Sequence, residues 1–288
     1  MIRYVELEFV SRLHSGAYAL GLVALLLALP PAAQASRLND TGQITCYNDT
    51  ANTGNVSPST PNPVDPGFED QDCTRGAAAA DVLGVMTKQG ASSTPGRDYT
   101  KISNAGNDLP ANATLGFGAN DWACTRDNVT GLVWEVKVFD IAHLRHVNHT
   151  YTWYDTNGAV NGGNAGDIGS NTCNATLPSS QCNTAAYRDA INALAGPARL
   201  CGATDWRLPT GFELLGLVDF GPGAPPTIDA TYFPNTFPNA HWTGVNVASS
   251  GVGGFPSRAY GVIFNGSGLQ GVIKAFSGAA IRLVRGGQ

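Results

Sequence analysis

Three histidines stand three residues apart in the segment HLRHVNH, and imidazoles at such spacing could bind a metal ion. They are His143, His146 and His149. Neutral imidazoles are good ligands for Zn²⁺ and Cu²⁺. The surrounding residues are polar, however, and a short His-rich tract is only a compositional indication of metal binding. We therefore favour an exposed turn over a Zn or Cu site for this segment.

Oxygen ligands are concentrated in a second segment, DTNGAVNGGNAGD, at residues 155–167. Ca²⁺ prefers such ligands, and Asp155, Asn157 and Asp167 could supply them. The spacing of an EF-hand loop fails, because its sixth position is Val160 and its twelfth is Gly166. A Gly/Asn-rich loop is the favoured interpretation, so we predict no cofactor and keep calcium at these three residues as the alternative.

Two enzyme motifs can be compared directly with the chain. The letters GSGLQG at 266–271 match a dinucleotide-binding motif. That motif must open a helix, whereas the flanking segments YGVIF and VIKAF are typical of strands, so we predict a hairpin turn. The G-x-S-x-G motif of serine hydrolases is absent. These observations predict a protein that is not an enzyme.

The element that is easiest to predict lies in CGATDWRLPTGFELL, at 201–215. Pro209 closes an extended segment, because the residue before a proline avoids the α region. Thr210 is a candidate helix N-cap, and Glu213 completes a capping box three residues later. The pattern predicts a strand-turn-helix corner with Trp206 at its elbow.

The remaining periodic segments predict short helices followed by strands. Helices are expected at 76–86 and 184–195, where apolar residues recur at helical spacing. Strands are expected at 130–138, 241–248, 259–265, 270–276 and 280–285, with the last three or four forming an antiparallel meander. This order of elements is typical of an α+β fold.

Composition and charge exclude several classes of function. The chain has 288 residues, of which 43% are hydrophobic and 14% charged, and its formal net charge is −5. A nucleic-acid-binding protein would present a basic surface, so we predict no nucleic-acid partner. A mixture rich in Gly, Asn, Thr and Ser favours short strands and long loops.

The N-terminus has the features of an export signal. Arg3 and Arg12 precede an apolar run at 17–29, and Ala-Gln-Ala at 33–35 offers a cleavage site. The run is too short for a membrane span, and no later stretch is apolar enough for one. We predict an exported protein, located in the periplasm, on the cell surface or in the medium. The predicted organisation is a signal peptide at 1–35, an Asn/Thr/Pro-rich N-terminal arm at 36–120 and a main domain at 121–288.

All six cysteines lie in the part of the chain predicted to be exported. An even number in an oxidising compartment indicates disulfide bonds, although sequence alone does not choose among the pairings. We predict the pair that closes a short loop, Cys173–Cys182, together with Cys46–Cys73 and Cys124–Cys201.

Several motifs occur in an order that resembles a known bacterial family. They are DNVTGLVWEVK (127–137), TYTWY (150–154), LCGATDWRLPTGFEL (200–214), IDATYFPNT (228–236) and IRLVRGGQ (281–288). In this order they resemble the Lcl C-terminal domain, which is typified by the Legionella collagen-like protein. The resemblance implies an α+β, C-type-lectin-like or formylglycine-generating-enzyme-like fold, with two short helices, an antiparallel sheet, long loops and disulfides. It also implies that the corner is architectural, with these structural residues: Trp134, Trp206, Arg207, Leu208, Pro209, Thr210 and Glu213.

For function, the sequence and the resemblance together predict a binding module. The founding member of the family is similar to an adhesin that forms trimers and binds sulfated glycans, and we expect a glycan or a surface protein as the partner. The predicted ligand-binding residues are Trp153, Tyr154, Asp155, Asn157, Asp167, Trp242, Asn246 and Arg258. The alternative is a structural envelope or fimbria-associated domain without a small ligand. An oxidase like the formylglycine-generating enzymes is less favoured, because no cysteine follows Cys201. The oligomeric state stays open.

Overall fold

The computed structural model describes residues 39–47, 52–55, 71–178, 181–221, 224–247, 255–266 and 268–286. The predicted signal peptide lies outside these residues, as does much of the Asn/Thr/Pro-rich segment before residue 71. Among the helices described, none combines the length and the apolar character that a membrane crossing requires.

The described chain has an α+β architecture of short elements, as predicted. Its helices are α1 (Asp72–Arg75), α2 (Ala77–Val82), α3 (Thr184–Asn192) and α4 (Gly211–Leu215). Its strands are β1 (Thr45–Tyr47), β2 (Asn52–Asn55), β3 (Tyr99–Ser103), β4 (Asp108–Leu109), β5 (Trp122–Asp127), β6 (Val133–Glu135), β7 (Ala240–Asn246), β8 (Arg258–Ile263), β9 (Gly268–Ile273) and β10 (Val284–Arg285).

The strands form antiparallel sheets. The larger sheet has the order β10-β6-β5-β3-β4, the smaller has the order β7-β8-β9, and β1 pairs with β2. The β8–β9 hairpin places Ile263 opposite Gly268, so the predicted hairpin forms, but its turn ends before Gly268 and residues 268–271 belong to β9. One prediction is wrong, because the last strand does not extend the meander. It pairs with β6 instead, through Val284 and Trp134.

The larger sheet also draws on the segment predicted to be an N-terminal arm. Strand β3 pairs with β5 along its whole length, with Tyr99 opposite Asp127, and β4 pairs with β3. All residues of β3 except Thr100 are buried, and the two strands add an edge to the sheet. The boundary predicted at residue 120 therefore falls inside one sheet.

The predicted corner has the expected geometry. The Thr210 side chain accepts a hydrogen bond from the Glu213 N–H, and the Glu213 carboxylate accepts one from the Thr210 N–H, which completes the capping box. The Arg207 guanidinium donates to both carboxylate oxygens of Glu213, at 2.8 and 2.7 Å. Trp206 is buried. The Asn192 side-chain amide donates to the Trp206 carbonyl and accepts a hydrogen bond from the Trp206 backbone N–H. Through these hydrogen bonds the corner connects α3 to α4.

The structure has three disulfides, with the same pairing as predicted from the sequence. They join Cys46 to Cys73, Cys124 to Cys201 and Cys173 to Cys182. No cysteine is free. The second bond ties β5 to the turn that follows α3, and disulfides of this number indicate an oxidising environment.

Candidate functional site

Two tryptophans predicted to bind a ligand are part of the core. Trp153 is 1% exposed and Trp242 is 0% exposed. Their indole N–H groups donate to backbone carbonyls, of Thr243 at 2.9 Å and of Tyr151 at 2.7 Å. Neither ring is accessible to a ligand, so the predicted ligand-binding role is wrong for both. An aromatic residue beside a polar loop gives no sequence signal that separates a core ring from an exposed one.

The oxygen atoms predicted to bind calcium are used within their own turns. Side-chain oxygens of Asp155, Asn157 and Asp167 each accept a hydrogen bond from the backbone N–H two residues later, at 2.8, 3.0 and 2.7 Å. Such turns are a common use of Asp and Asn. The second carboxylate oxygen of Asp155 lies 3.4 Å from the Arg188 guanidinium.

A buried lysine, Lys274, holds the loop at 155–167 through hydrogen bonds to its backbone. Lys274 Nζ donates to the carbonyls of Asn161 and Asn164, at 2.7 and 2.6 Å, and lies 4.2 Å from the centre of the Trp153 ring. Asn246 donates to the carbonyl of Val160. This predicted ligand-binding residue thus joins β7 to the loop.

Two further residues predicted to bind a ligand are partly exposed to solvent. Tyr154 is half-buried, and its backbone bonds the Thr184 hydroxyl on α3. Arg258 is also half-buried, donates to the carbonyl of Gly271 at 2.8 Å and lies 5.8 Å from the ring of the exposed Phe255. The bond from Arg258 to Gly271 joins strands β8 and β9.

The three histidines of the first motif do not converge. His143 stacks on Phe117, with 4.6 Å between ring centroids and 23° between ring planes. His146 contacts His149 at 5.0 Å and Phe139 at 5.6 Å. In the described part of the chain, no group of three or more His, Cys, Asp or Glu residues is placed to hold a metal ion. The structure thus does not assemble the Zn or Cu site.

A cavity of about 190 Å³ opens beside His143. Three segments enclose it: the turn after β3 with the loop before β5, the segment after β6, and the C-terminal end of α3 with the turn that follows. Its lining residues are Asn104, Phe117, His143, Leu144, Arg145, Ile191, Leu194, Pro197, Ala198 and Leu200. Helix α3 forms one wall because Tyr187 and Ile191, four residues apart, turn the same face of the helix inward.

An exposed aromatic ring stands at this cavity. The side chain of Phe117 is 52% exposed. Its loop is held by the Asn104 amide, which donates to the carbonyls of Gly116 at 3.2 Å and Gly118 at 3.0 Å. A phenyl ring that is fixed at its base and open on its surface can stack on the apolar face of a ligand.

The imidazole of His143 contributes a hydrogen-bond donor. Burial, together with the positive charge of Arg145, lowers the pKa of His143 to about 4, so the ring is neutral at pH 7. Its Nδ1 accepts the backbone N–H of Arg145 at 3.0 Å. In a neutral imidazole the other nitrogen then carries the proton, so Nε2–H is the donor.

A buried ionic cluster lies behind the cavity. Glu135 pairs with Lys137 at 2.7 Å, and the Tyr187 hydroxyl contacts both. Burial lowers the pKa of Lys137 to about 8 and that of Arg282 to about 10. With Arg145, three buried cations surround one carboxylate, so the interior beside the cavity is positively charged.

Sequence reasoning missed the aromatic side chains of this region. Phe117 and the 77% exposed Phe139 were not among the predicted residues. The available signal was local: Phe117 lies between two glycines in GFGAN, and Phe139 directly precedes Asp140. Such neighbours favour a loop, but the buried Trp153 also stands beside a loop, so the sequence does not separate the two cases.

Comparison with known proteins gives one match. A model of the Lcl C-terminal domain covers residues 123–285. The match begins in β5 and ends in β10, and it includes the corner, the smaller sheet and most of the cavity lining. No curated protein and no solved structure matches the chain. Since the match spans more than half of its length, the chain belongs to the Lcl C-terminal domain family.

Proposed function

We propose that this protein is an exported, non-enzymatic binding module that takes a terminal ring of a glycan in the Phe117 cavity. The observation that carries the proposal is the exposed Phe117 ring, stacked on a neutral His143 at the mouth of a cavity of about 190 Å³. The apolar face of a sugar ring can stack on the phenyl group, while a hydroxyl accepts from His143 Nε2–H.

The size of the cavity favours a single ring. A cavity of about 150 Å³ holds a benzene molecule, whereas sites for drug-sized ligands have volumes of roughly 300–1,000 Å³. A longer glycan would place one terminal ring inside and run outward over the neighbouring exposed side chains. Phe139 and Ile141 lie on the segment that follows β6 and present such a surface.

Other features support export and the absence of catalysis. The three disulfides suit an oxidising compartment on the cell surface or in the periplasm. An oxidase that resembles the formylglycine-generating enzymes would need a reactive cysteine pair late in its domain, and no cysteine follows Cys201 in this chain.

A glycan array tests this proposal. The full chain, produced by export so that its disulfides form, is compared with Phe117→Ala. Phe212→Ala is the matched control, because Phe212 is 73% exposed on α4 and does not line the cavity. We expect the chain and the control to bind the same glycans and Phe117→Ala to bind them at least about tenfold more weakly.

Two results would count against the proposal. If Phe117→Ala retains the binding of the unmodified chain, the glycan contacts another surface. If the correctly folded chain binds no glycan, the second candidate is favoured, namely a structural envelope domain. That candidate draws support from the loop at 155–167, whose polar side chains bond within the protein.

A further inference from the structure

We propose that the ligand of the Phe117 cavity is a single ring that carries a carboxylate group. This inference rests on the proposed function, which it makes more specific. The argument depends on the chemistry of the lining residues, on the charge behind them and on the hydrogen bonds that they have already formed.

The described lining offers donors and a cation, and no acid. Arg145 is the one charged side chain among the ten described lining residues. His143 presents Nε2–H, because its Nδ1 is occupied by the Arg145 N–H. The amide of Asn104 is already engaged with two backbone carbonyls. A ligand group that accepts hydrogen bonds and carries negative charge complements such a wall.

Arg145 has no carboxylate partner among the described residues. Its side chain is buried, and Nη1 donates to the carbonyls of Val136 at 2.7 Å and Ala123 at 3.2 Å. Glu135, the acid nearest in the ionic cluster, is paired with Lys137 and Tyr187. A buried guanidinium without a counter-ion is costly, and an anion bound in the adjoining cavity would offset that cost.

The positive charge extends to the cavity wall. Glu135 pairs with Lys137, while the buried guanidinium groups of Arg145 and Arg282 donate to backbone carbonyls and to the Thr236 hydroxyl and form no ion pair with a carboxylate among the described residues. Among the charges that shift the pKa of His143, the lowering effect of Arg145 is the largest; Asp140 and Glu135 act in the opposite direction, and Lys137 adds a weaker lowering effect. A neutral ring gains nothing from the charge of Arg145, whereas a carboxylate does.

Two sources fit this chemistry, an aromatic acid and a uronic acid at the end of a glycan. The test uses calorimetric and NMR titrations of the full chain at pH 7 with benzoate against benzamide, and with glucuronate against glucose. In each pair the ring is matched and only the charge differs. We expect each carboxylate to bind about tenfold or more tightly than its neutral partner, because hydrogen bonds to charged groups are the stronger ones.

Three variants test whether Arg145 causes the preference for carboxylates over neutral rings. Arg145→Met is expected to remove the preference for carboxylates, Arg145→Lys to retain part of it, and Arg258→Met, at the exposed edge, to leave it unchanged. The comparison of matched probes on the unmodified chain needs no variant, so it stands even where Arg145→Met does not fold. Tighter binding of glucuronate identifies a glycan terminus as the source, and tighter binding of benzoate identifies an aromatic acid.

The outcomes separate this inference from the proposed function. Equal binding of charged and neutral rings, weakened by Phe117→Ala, overturns the carboxylate inference and leaves the glycan proposal standing. A carboxylate preference that survives Arg145→Met in a folded protein also overturns it. Absence of any binding near Phe117 overturns both.

Discussion

The loop at 155–167 and the Phe117 cavity differ in how they use their polar and aromatic side chains. The loop is rich in Asp and Asn, yet these side chains bond backbone N–H groups within the loop, and its neighbouring tryptophan is buried. The cavity has few polar residues, yet an exposed ring and a free imidazole donor face it. Residue type alone therefore does not identify a binding surface, because what matters is whether a side chain is still available.

The largest change in the free energy of unfolding is expected when Trp153, the aromatic residue beside the loop at 155–167, is removed. Trp153→Ala deletes a buried ring, its hydrogen bond to Thr243 and its contact with Lys274. The free energy of unfolding should fall by about 3–5 kcal/mol, which urea denaturation monitored by circular dichroism measures. Phe117→Ala is the comparison, since its exposed ring should change stability by less than about 0.5 kcal/mol. Similar losses for the two variants would contradict the contrast between the regions.

Acidification should lower the stability of the protein through the histidines near the cavity and in the core. The loop should not contribute through histidine, because it has no histidine between residues 155 and 167. Burial lowers the pKa of His143, His146, His149 and His241 from the ordinary value of 6.5, to about 4 for His143. In the folded chain these rings therefore take up protons at a lower pH than in the unfolded chain, which binds them below about pH 6.5. Stability is therefore lost as the pH falls from about 6.5 towards 4.

This pH dependence can be measured in two ways. Urea midpoints should be lower at pH 5 than at pH 7, and NMR titration should show His143 still neutral at pH 5. The variant His143→Gln should reduce the difference between the two midpoints, and Asn157→Ala, in the loop, should leave it unchanged. An imidazole of His143 that titrates near 6.5 would show that its ring is not desolvated against Phe117.

The sequence predicted the parts of the fold that depend on local chemistry. The capping box at Thr210 and Glu213 and the hairpin of β8 and β9 follow from short patterns and both form, although the hairpin turn ends before Gly268. The pairing of β10 with β6 was missed, because a two-residue strand is placed by contacts with residues far away in the chain. The sequence contains no local signal for such a pairing.

The site was harder to predict for a related reason. Exposure of Phe117 and burial of Trp153 depend on which segments pack together, and both residues lie beside Gly- and Asn-rich stretches. Arg145 stands within the histidine motif, but its buried position behind the cavity requires β5 and β6 to be in place.

The smallest effect is expected from the oxygen atoms of the loop. The combined variant Asp155→Ala, Asn157→Ala and Arg258→Ala should bind the glycans selected on the array within about twofold of the unmodified chain, since these side chains support turns and an exposed edge. Calcium and EDTA should give the same unfolding midpoint, which differential scanning calorimetry measures. A calcium-dependent rise of the midpoint that the triple variant abolishes would establish a metal site in the loop.

The central claim is that the ligand occupies the Phe117 cavity and not the loop face. Chemical-shift mapping of the isotope-labelled chain, titrated with the glycan that binds best on the array, tests it most directly. The account predicts that the largest shifts fall on Phe117, His143 and Leu194, with the resonances of 155–167 unchanged. Largest shifts on 155–167 and Arg258, with Phe117 unaffected, would contradict it.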